Sequence, residues 1–397
     1  PLPTYGFDYS LVRNPDIDTA YNALITYVIP GSPAAQAGLE RGDWIMKVDT
    51  SYISKKYETY LLQGTKAVKL TLGEWKEVEI EDEEDGNEGG DGEDEGPTME
   101  YRVVPIDDPV EMPAAQIVED NPVHKYEIIE SPVKKIRVGY LMYNSFTAGT
   151  KAEPEKYNNE LRSVSQKFKE AGVQAVILDL RYNEGGSMDC VQLLGTILTS
   201  ADRLGEPMAY LEYNDKNTDK DATILFGTDR EINLNLHSLI AITSGTTMGA
   251  PEMLIRSLFL EDTYPIATVG SSTKGQNVAT EQFINEEFLW SVNPVVCTVY
   301  NSQHDTYGAI SPATDLKVSE TTIDGSTNYS EFLPFGTFDK DGKSERLLKI
   351  AIGVLDGTYP PKDDETPEES TPQTRFKVEK SVSSPASRRF SSKGLRL

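Results

Sequence analysis

Apolar residues follow two kinds of pattern over the larger part of the chain. The runs 173–180 and 239–242 are almost wholly apolar, which is typical of strands buried on both faces of a helix-covered sheet. Between 154 and 172 apolar residues recur at spacings of four, three and four, and a glycine ends the series, which predicts an amphipathic helix. Buried strands that alternate with amphipathic helices along the chain predict an α/β core. Further elements are predicted at 136–146 and 266–269 (strands) and at 189–198, 250–260 and 344–355 (helices).

The first hundred residues show a different pattern, in which short strands are separated by turns. Apolar runs at 23–29 and 44–48 flank a turn-rich stretch with room for a short helix. Further strands are predicted near 68–72 and 99–104. Residues 1–104 are therefore expected to form a small β-rich module.

The turn-rich stretch, PGSPAAQAGLERGDWIMKVD from Pro30 to Asp49, resembles the PgSPAaxAGLxxGDxIxxvd signature of PDZ domains in bacterial proteases. In such domains a glycine-containing loop presents N–H groups to a ligand's terminal carboxylate, while the peptide pairs as an extra strand. Tyr5, Gly6 and Phe7 occupy the matching place here. The resemblance implies that this loop binds peptides or protein C-termini; the structural alternative is a strand start without a ligand.

Composition divides the rest of the chain. Residues 81–96, EDEEDGNEGGDGEDEG, have too little apolar content to fold and are expected to form a solvated loop inserted in the first module. A calcium site is the alternative, but the spacing of the acids does not follow the calcium-loop pattern. Residues 105–133 contain five prolines and predict a linker with one short strand. The core is placed at 134–358, and the Pro-, Ser- and Thr-rich segment 359–397 is expected to be a disordered tail.

Length and charge exclude several classes of function. A chain of 397 residues predicts two domains, and the formal net charge of −26 argues against nucleic acid as a partner. No apolar run reaches the roughly 18–20 residues of a transmembrane segment. Cys190 and Cys297 are expected to be buried thiols. The three histidines are scattered, so neither a metal site nor a Ser/His/Asp triad is predicted, and no cofactor is expected.

The stretch 239–276 is the candidate for chemistry. It predicts a strand, a turn of small and hydroxyl residues, a helix and a second strand. Small residues at a strand-to-helix turn let backbone N–H groups point into a cleft, which is how many acyl-transfer enzymes hold a nucleophile and stabilise an oxyanion.

Several motifs in order resemble the tail-specific, or carboxy-terminal processing, serine peptidases over about residues 5–357. They are the PDZ-like module, GYxxxxSF at 139–146, LDLRxNxGG at 178–186, the stretch above, and a GxxxP strand at 308–312. The resemblance implies an α+β multidomain protein, with a β-rich PDZ-like module followed by an α/β peptidase core of the ClpP/crotonase-like type. It also implies an extracytoplasmic location, in the periplasm or cell envelope, with a signal or lipid anchor removed.

The resemblance further implies a serine nucleophile, a lysine base, and oxyanion donors from the backbone of Gly185 and Ala250. The family's helix starts with S-A-S-E, whereas this chain has Gly-Ala-Pro-Glu, so the nucleophile position is Gly249. The family's T-x-G-K turn matches Thr-Lys-Gly-Gln, so the base position is Gln276. Counting from Glu252 at the family's spacing, without a gap, would instead place Lys274 at the base position.

Two hypotheses follow. In the first, the chain keeps the architecture that handles peptides and has lost the catalytic pair. In the second, it is an active serine-type endopeptidase that cleaves near protein C-termini. Its nucleophile would then be displaced to Ser244, Thr246 or Thr247, with Lys274 as the base.

Overall fold

The chain divides into two compact units in a computed structural model that describes residues 2–80, 98–288, 290–323, 326–329, 332–360, 375–383 and 393–397. The predicted acidic loop 81–96 lies outside the described residues. Unit 1 comprises Pro1–Asp120, Thr321–Pro334 and Glu368–Ser387, and unit 2 comprises Asn121–Glu320, Phe335–Pro367 and Arg388–Leu397.

The secondary structure of the described residues is rich in short strands. The strands are β1 Phe7–Arg13, β2 Tyr21–Val28, β3 Trp44–Val48, β4 Ser51–Tyr52, β5 Val68–Ile80, β6 Thr98–Pro105, β7 Val110–Met112, β8 Val123–Glu130, β9 Arg137–Tyr143, β10 Ala175–Asp179, β11 Gly185–Ser187, β12 Pro207–Tyr213, β13 Ala222–Leu225, β14 Leu239–Thr243, β15 Ile266–Gly270, β16 Val278–Thr280, β17 Phe283–Asn285, β18 Trp290–Val292, β19 Val295–Tyr300, β20 Thr322–Ile323, β21 Ser326–Asn328, β22 Arg375–Phe376, β23 Val378–Val382 and β24 Gly394–Arg396. The α-helices are α1 Pro33–Gln36, α2 Glu58–Leu62, α3 Lys156–Glu170, α4 Met188–Leu198, α5 Ala250–Leu258 and α6 Arg346–Asp356.

The main sheet of unit 1 has the order β23-β1-β2-β3-β5-β6, and β4 and β7 pair with β3 and β5. A small sheet of β20, β21 and β22 also belongs to this unit. The predicted strands at 23–29 and 44–48 are confirmed as β2 and β3. The short helix between them begins where Ser32 Oγ accepts the N–H of Ala35 at 3.2 Å, with Pro33 in the first turn. The β-rich module predicted from the sequence is thus present, and β23 lies along the β1 edge.

Unit 2 contains a five-stranded sheet with the order β15-β14-β10-β9-β8, in which the first four strands run parallel. Strand β10 is buried along its whole length, as its apolar run predicts. The spacing that predicts α3 is confirmed, because its apolar residues are buried: Tyr157, Leu161, Val164 and Phe168. The α/β core predicted from alternating strands and helices is confirmed.

A second sheet of unit 2 has the order β11-β24-β16-β19-β12-β13, and most of these short strands are missing from the sequence prediction. Cys190 and Cys297 are buried and unpaired, as expected. Burial raises the pKa of Cys190 to about 12 and that of Cys297 to about 11, which keeps both thiols protonated and unreactive. No helix in the described parts of the chain is long and apolar enough to cross a membrane.

Two predictions about the connecting segments need correction. The segment 105–133, expected to be a linker, contributes β7 to the sheet of unit 1 and β8, longer than the single short strand predicted, to that of unit 2. The segment 359–397, expected to be disordered, contains β22, β23 and β24 among its described residues. Strand β8 pairs with the next strand, β9, whereas β7, β22, β23 and β24 pair with strands about 40 or more residues away. Such distant pairing leaves no trace in local composition.

A buried ion cluster supports the turn that follows β10. The guanidinium of Arg181 is fully buried and binds Asp179 (Nη2–Oδ2, 2.7 Å) and Glu345 (Nη1–Oε1, 2.8 Å). The hydroxyl of Tyr140 donates to Asp179 Oδ2 at 2.8 Å. A third carboxylate, that of Glu320, lies 3.2 Å from Nη1. Burial raises the pKa of Asp179 although Arg181 opposes the rise. Burial also disfavours charge on Arg181, but its three carboxylates hold its pKa well above the ordinary value, so the guanidinium stays charged.

Replacing Arg181 by Met is expected to lower the free energy of unfolding by roughly 3–5 kcal/mol, because it leaves the carboxylates of Asp179 and Glu345 buried without a cation. The measurement is urea unfolding followed by far-UV circular dichroism. Arg162→Met is the control, since Arg162 makes exposed contacts with Asn159 at 3.1 Å and Glu155 at 3.5 Å, and its effect should stay within about 0.5 kcal/mol. Equal effects of the two substitutions would contradict the role given to the cluster.

Candidate active site

Gly249 lies at the sharp turn between β14 and α5. Its backbone has φ 70° and ψ −100°, which L side chains rarely adopt and which costs a residue with a Cβ about 1–3 kcal/mol. Hydrolases of the α/β type carry their nucleophile on a strained strand-to-helix turn of this kind. The position that the motifs assign to the nucleophile thus has the backbone of such a turn and no side chain to attack with.

The carboxylate of Glu252 joins this turn to a later one. Glu252 is fully buried, and its Oε2 accepts the N–H groups of Gly249 and of Gln276, both at 2.8 Å. Its Oε1 accepts the N–H of Gly275 at 2.5 Å and the hydroxyl of Thr273. The predicted nucleophile and base positions are therefore held by one side chain.

The Thr273 turn is fixed from its other side by the predicted GxxxP segment. That segment, 308–312, is not a strand. Ile310 nevertheless exchanges two hydrogen bonds with Thr273, since its N–H donates to Thr273 Oγ1 at 2.9 Å and its carbonyl accepts the Thr273 N–H at 3.0 Å. The motif thus marks a contact to the site rather than a regular element.

The side chain of Gln276, and not that of Lys274, lies against Gly394, the residue next to Gly249 in space. A Cβ placed on Gly394, which lies beside Gly249, would come within 2.3 Å of Gln276 Oε1. That oxygen is buried and has no hydrogen-bond partner among the residues the structure describes. The side chain of Lys274 is exposed. The backbone N–H of Lys274 donates to the carbonyl of Thr247 at 3.1 Å. The T-x-G turn therefore places Gln276 at the candidate site.

The glycine pair of the LDLRxNxGG motif forms another wall of the site. Gly185 and Gly186 have φ values of 123° and 138°, a region that favours glycine. The N–H of Gly185 donates to Asn183 Oδ1 at 3.0 Å. An oxyanion bound by the Gly185 N–H would have to compete with the side chain of Asn183. The second predicted donor, Ala250, is buried and is the first residue of α5. The assignment of these two residues as oxyanion donors stays a prediction.

Strand β24 fills the space in front of Gly249. It pairs in parallel with β11 on one side and with β16 on the other. A Cβ on Gly249 would lie 2.6 Å from the carbonyl carbon of Gly394, and a Cβ on Gly185 would lie 1.9 Å from the Gly394 oxygen. We call the space between β11 and β16 the peptide slot. Gly249, Gly185 and Gln276 are thus brought together around one backbone segment, β24. This strand is not predicted from the sequence, because residues 388–397 contain no run of alternating apolar and polar residues long enough to predict one.

The hydroxyls proposed as displaced nucleophiles have other partners. Thr246 Oγ1 donates to the carbonyl of Arg181 at 2.8 Å, and Ser244 Oγ donates to the same oxygen. Thr247 Oγ1 donates to the carbonyl of Leu180 at 2.9 Å. These side chains tie the turn after β14 to the turn after β10, which is the structural role that hydroxyls commonly have at such turns.

The predicted carboxylate-binding loop lies at the start of β1 in unit 1. Tyr5 and Phe7 are buried (1% and 3% exposed), so their side chains belong to the core. Gly6 has φ 84°, and its N–H donates to Thr4 Oγ1 at 3.0 Å. The edge of β1 next to this loop is paired with β23, from Tyr9 opposite Val382 onwards. Whether the loop binds a carboxylate stays a prediction.

Replacing Glu252 by Gln is expected to lower the free energy of unfolding by about 3 kcal/mol, because an amide turns its NH₂ group towards backbone donors that now bind a carboxylate. Hydrogen exchange at the Gly275 and Gln276 amides should rise in parallel. Glu261→Gln, at an exposed position, is the matched control and should change stability by less than about 0.5 kcal/mol. Unchanged exchange at both amides in Glu252→Gln would refute the role of this carboxylate.

The chain is similar to known proteins over both units. The model of peptidase family S41 matches residues 137–292, and that of the PDZ domain matches residues 24–71. None of the curated proteins matches. A solved protein from Bacteroides fragilis, named as an S41 protease, is 39% identical with a TM-score of 0.74 and covers 90% of this chain and 84% of its own.

Two other solved structures are more distant. The photosystem II D1 C-terminal processing protease is 16% identical with a TM-score of 0.39, covering 81% of this chain and 74% of its own. Mature CPAF is 12% identical with a TM-score of 0.41, covering 90% and 85%. Both likenesses are too weak to support a conclusion about this chain. The match to the Bacteroides fragilis protein confirms the resemblance drawn from the motifs, and the chain belongs to peptidase family S41, with a PDZ domain in its β-rich first unit.

Proposed function

We propose that this protein binds extended peptides or protein C-termini and has lost nearly all of the peptidase activity of its family. The observation that carries the proposal is the environment of Gly249. The strained turn, the Glu252 carboxylate and the peptide slot are all in place around a residue that has no nucleophile. The site would therefore keep the features that bind a peptide and lack the residues that hydrolyse it.

The chemistry of the site supports the loss of activity. A glycine cannot attack a carbonyl, and losing the nucleophile of a serine peptidase costs on the order of 10⁶ in kcat. Gln276 at the base position has no titratable amine to accept a proton. The hydroxyls of Ser244, Thr246 and Thr247 donate to backbone carbonyls, and the Lys274 side chain is exposed rather than desolvated. A displaced catalytic pair therefore lacks the short contact and the apolar pocket it needs.

Peptide binding is supported in each unit separately. PDZ domains bind peptide C-termini by adding a strand to a sheet edge. In unit 1 the strand β23 of the same chain already pairs with β1 from Tyr9 onwards, so a peptide that binds beside the Tyr5–Phe7 loop would take the place of β23. In unit 2 the peptide slot offers hydrogen-bonding edges on both sides of an extended segment. The proposal includes an extracytoplasmic location in the periplasm or cell envelope, which rests on the family resemblance alone.

The purified chain is expected to bind fluorescently labelled casein, an unstructured protein, without cutting it. Binding is read as a rise in fluorescence anisotropy and integrity is read on a gel after prolonged incubation. A fluorophosphonate probe should leave Ser244, Thr246 and Thr247 unmodified in the mass spectrum. Fragments of casein that disappear in a Lys274→Ala variant would establish the displaced-nucleophile hypothesis instead, and a flat anisotropy signal would refute peptide binding.

Gly249→Ser combined with Gln276→Lys is expected to produce casein hydrolysis, because the two changes return a hydroxyl and an amine to positions that Glu252 holds close together. Each single variant should remain inactive and serves as the control, since a nucleophile without its base gains little. The serine Cβ would lie 2.6 Å from Gly394, so β24 must shift for the variant to act. An inactive but folded double variant would mean that the architecture has drifted beyond the catalytic pair.

A further inference from the structure

Strand β24 is held in the peptide slot in the way that a sheet holds a bound peptide. On one side the N–H of Gly394 donates to the carbonyl of Glu184 at 2.7 Å. On the other side the N–H of Leu397 donates to the carbonyl of Thr280 at 3.0 Å, and Thr280 Oγ1 donates to the carbonyl of Leu395 at 3.2 Å. The two contacts between main-chain atoms are of the kind that strand addition supplies to an extended ligand, and the Thr280 side chain adds a third.

The slot fits a glycine at one position. Gly394 has φ 86°, and any Cβ there would come within 2.3 Å of Gln276 Oε1. The walls are glycine as well, since a Cβ at Gly185 or Gly249 would strike the Gly394 backbone at 1.9 or 2.6 Å. A larger residue at this point would have to adopt a φ that L side chains rarely take. It would also have to displace the end of the Gln276 side chain.

The next position takes a leucine-sized apolar side chain. Leu395 is 1% exposed and packs within the main hydrophobic cluster of unit 2. Burial of a leucine contributes roughly ten- to a hundredfold to an affinity. Two residues further on, Leu397 is 37% exposed, so the selectivity for an apolar side chain is confined to the position of Leu395.

Charge adds a weaker attraction. Lys393 lies 3.2 Å from Glu184, but its side chain is 70% exposed, so this pair contributes little. Residues 393–397 nonetheless carry two cations, Lys393 and Arg396, and no acid, in a chain whose formal net charge is −26. The segment that fills the slot is thus cationic within an acidic protein, which favours its return after release.

We propose that the peptide slot selects extended peptides in which a glycine is followed by a leucine-sized apolar residue, and that residues 393–397 are its resident ligand. An outside peptide must displace this segment, which competes at the high effective concentration of a tethered ligand. The inference rests on the proposed function, that the site binds peptides without cutting them.

The test compares the full chain with Leu395→Glu, which places a charge in the apolar pocket, and with Leu397→Glu, a matched change at an exposed position. The probe is a fluorescein-labelled peptide of sequence SSKGLRL, that of residues 391–397. Leu395→Glu should bind the probe at least roughly thirtyfold more tightly than the parent chain, because its own segment no longer competes. Leu397→Glu should bind it as the parent does.

Selectivity is tested on the Leu395→Glu chain with altered probes. The peptides SSKALRL and SSKGERL should each lose at least roughly tenfold in affinity, whereas SSKGLRE should bind like the original probe. Equal binding of SSKALRL and SSKGLRL would overturn the requirement for glycine.

A measurement on the unaltered chain guards against a variant that fails to fold. Excess unlabelled SSKGLRL should speed hydrogen exchange in the fragment that contains residues 393–397, because the resident segment leaves the slot. Parent and Leu395→Glu chains that bind the probe equally well, with no change in exchange, would overturn the resident ligand and leave peptide binding intact. Binding by neither chain, with unchanged exchange of residues 393–397, would overturn the slot as a peptide site, whereas a flat anisotropy signal with casein would refute the proposed function itself.

Discussion

Glu252 fixes the geometry on which the candidate site of unit 2 depends. One buried carboxylate accepts the N–H of Gly249 at the start of α5 and the N–H groups of Gly275 and Gln276 in the later turn. Hydrogen bonds to a charged group contribute more than neutral ones, about 1.5–3 kcal/mol each, and here they offset the cost of burying the charge. This interaction needs neither a hydroxyl at position 249 nor an amine at position 276, so the two turns are held together without them.

The ion cluster around Arg181 supports the same site from the opposite side. The carbonyl of Arg181 accepts the Thr246 hydroxyl at 2.8 Å, while its guanidinium is clamped by Asp179 and Glu345. The turn after β14 is therefore anchored to a turn that is itself immobilised by buried charge. Such a frame suits a site that positions a peptide backbone, because binding of an extended chain depends on fixed donors and acceptors.

Sequence reasoning identified those parts of the molecule whose signal is local. The spacing of apolar residues predicts α3, and the apolar run predicts β10, because burial imposes both patterns directly. Gly249 and Gln276 were found through short motifs whose backbone geometry is fixed. Strand β24 could not be found this way, since its pairing with β11 and β16 joins residues about 200 and 115 positions apart and is determined by the partners. The same holds for the pairing of Arg181 with Glu345, 164 residues further along.

The position of β23 and β24 in the chain has a consequence for biosynthesis. Their partner strands β1, β11 and β16 all precede them in the sequence, so these partners leave the ribosome before the segments that cover them. At about 5–20 residues per second, the stretch from 358 to 396 takes roughly 2–8 seconds to make. During that interval each nascent unit has an uncovered strand edge, which is the kind of surface that recruits other chains. Both units therefore complete these sheets only after residues 378–396 have been made, and a chain truncated before β23 would keep both edges open to aggregation.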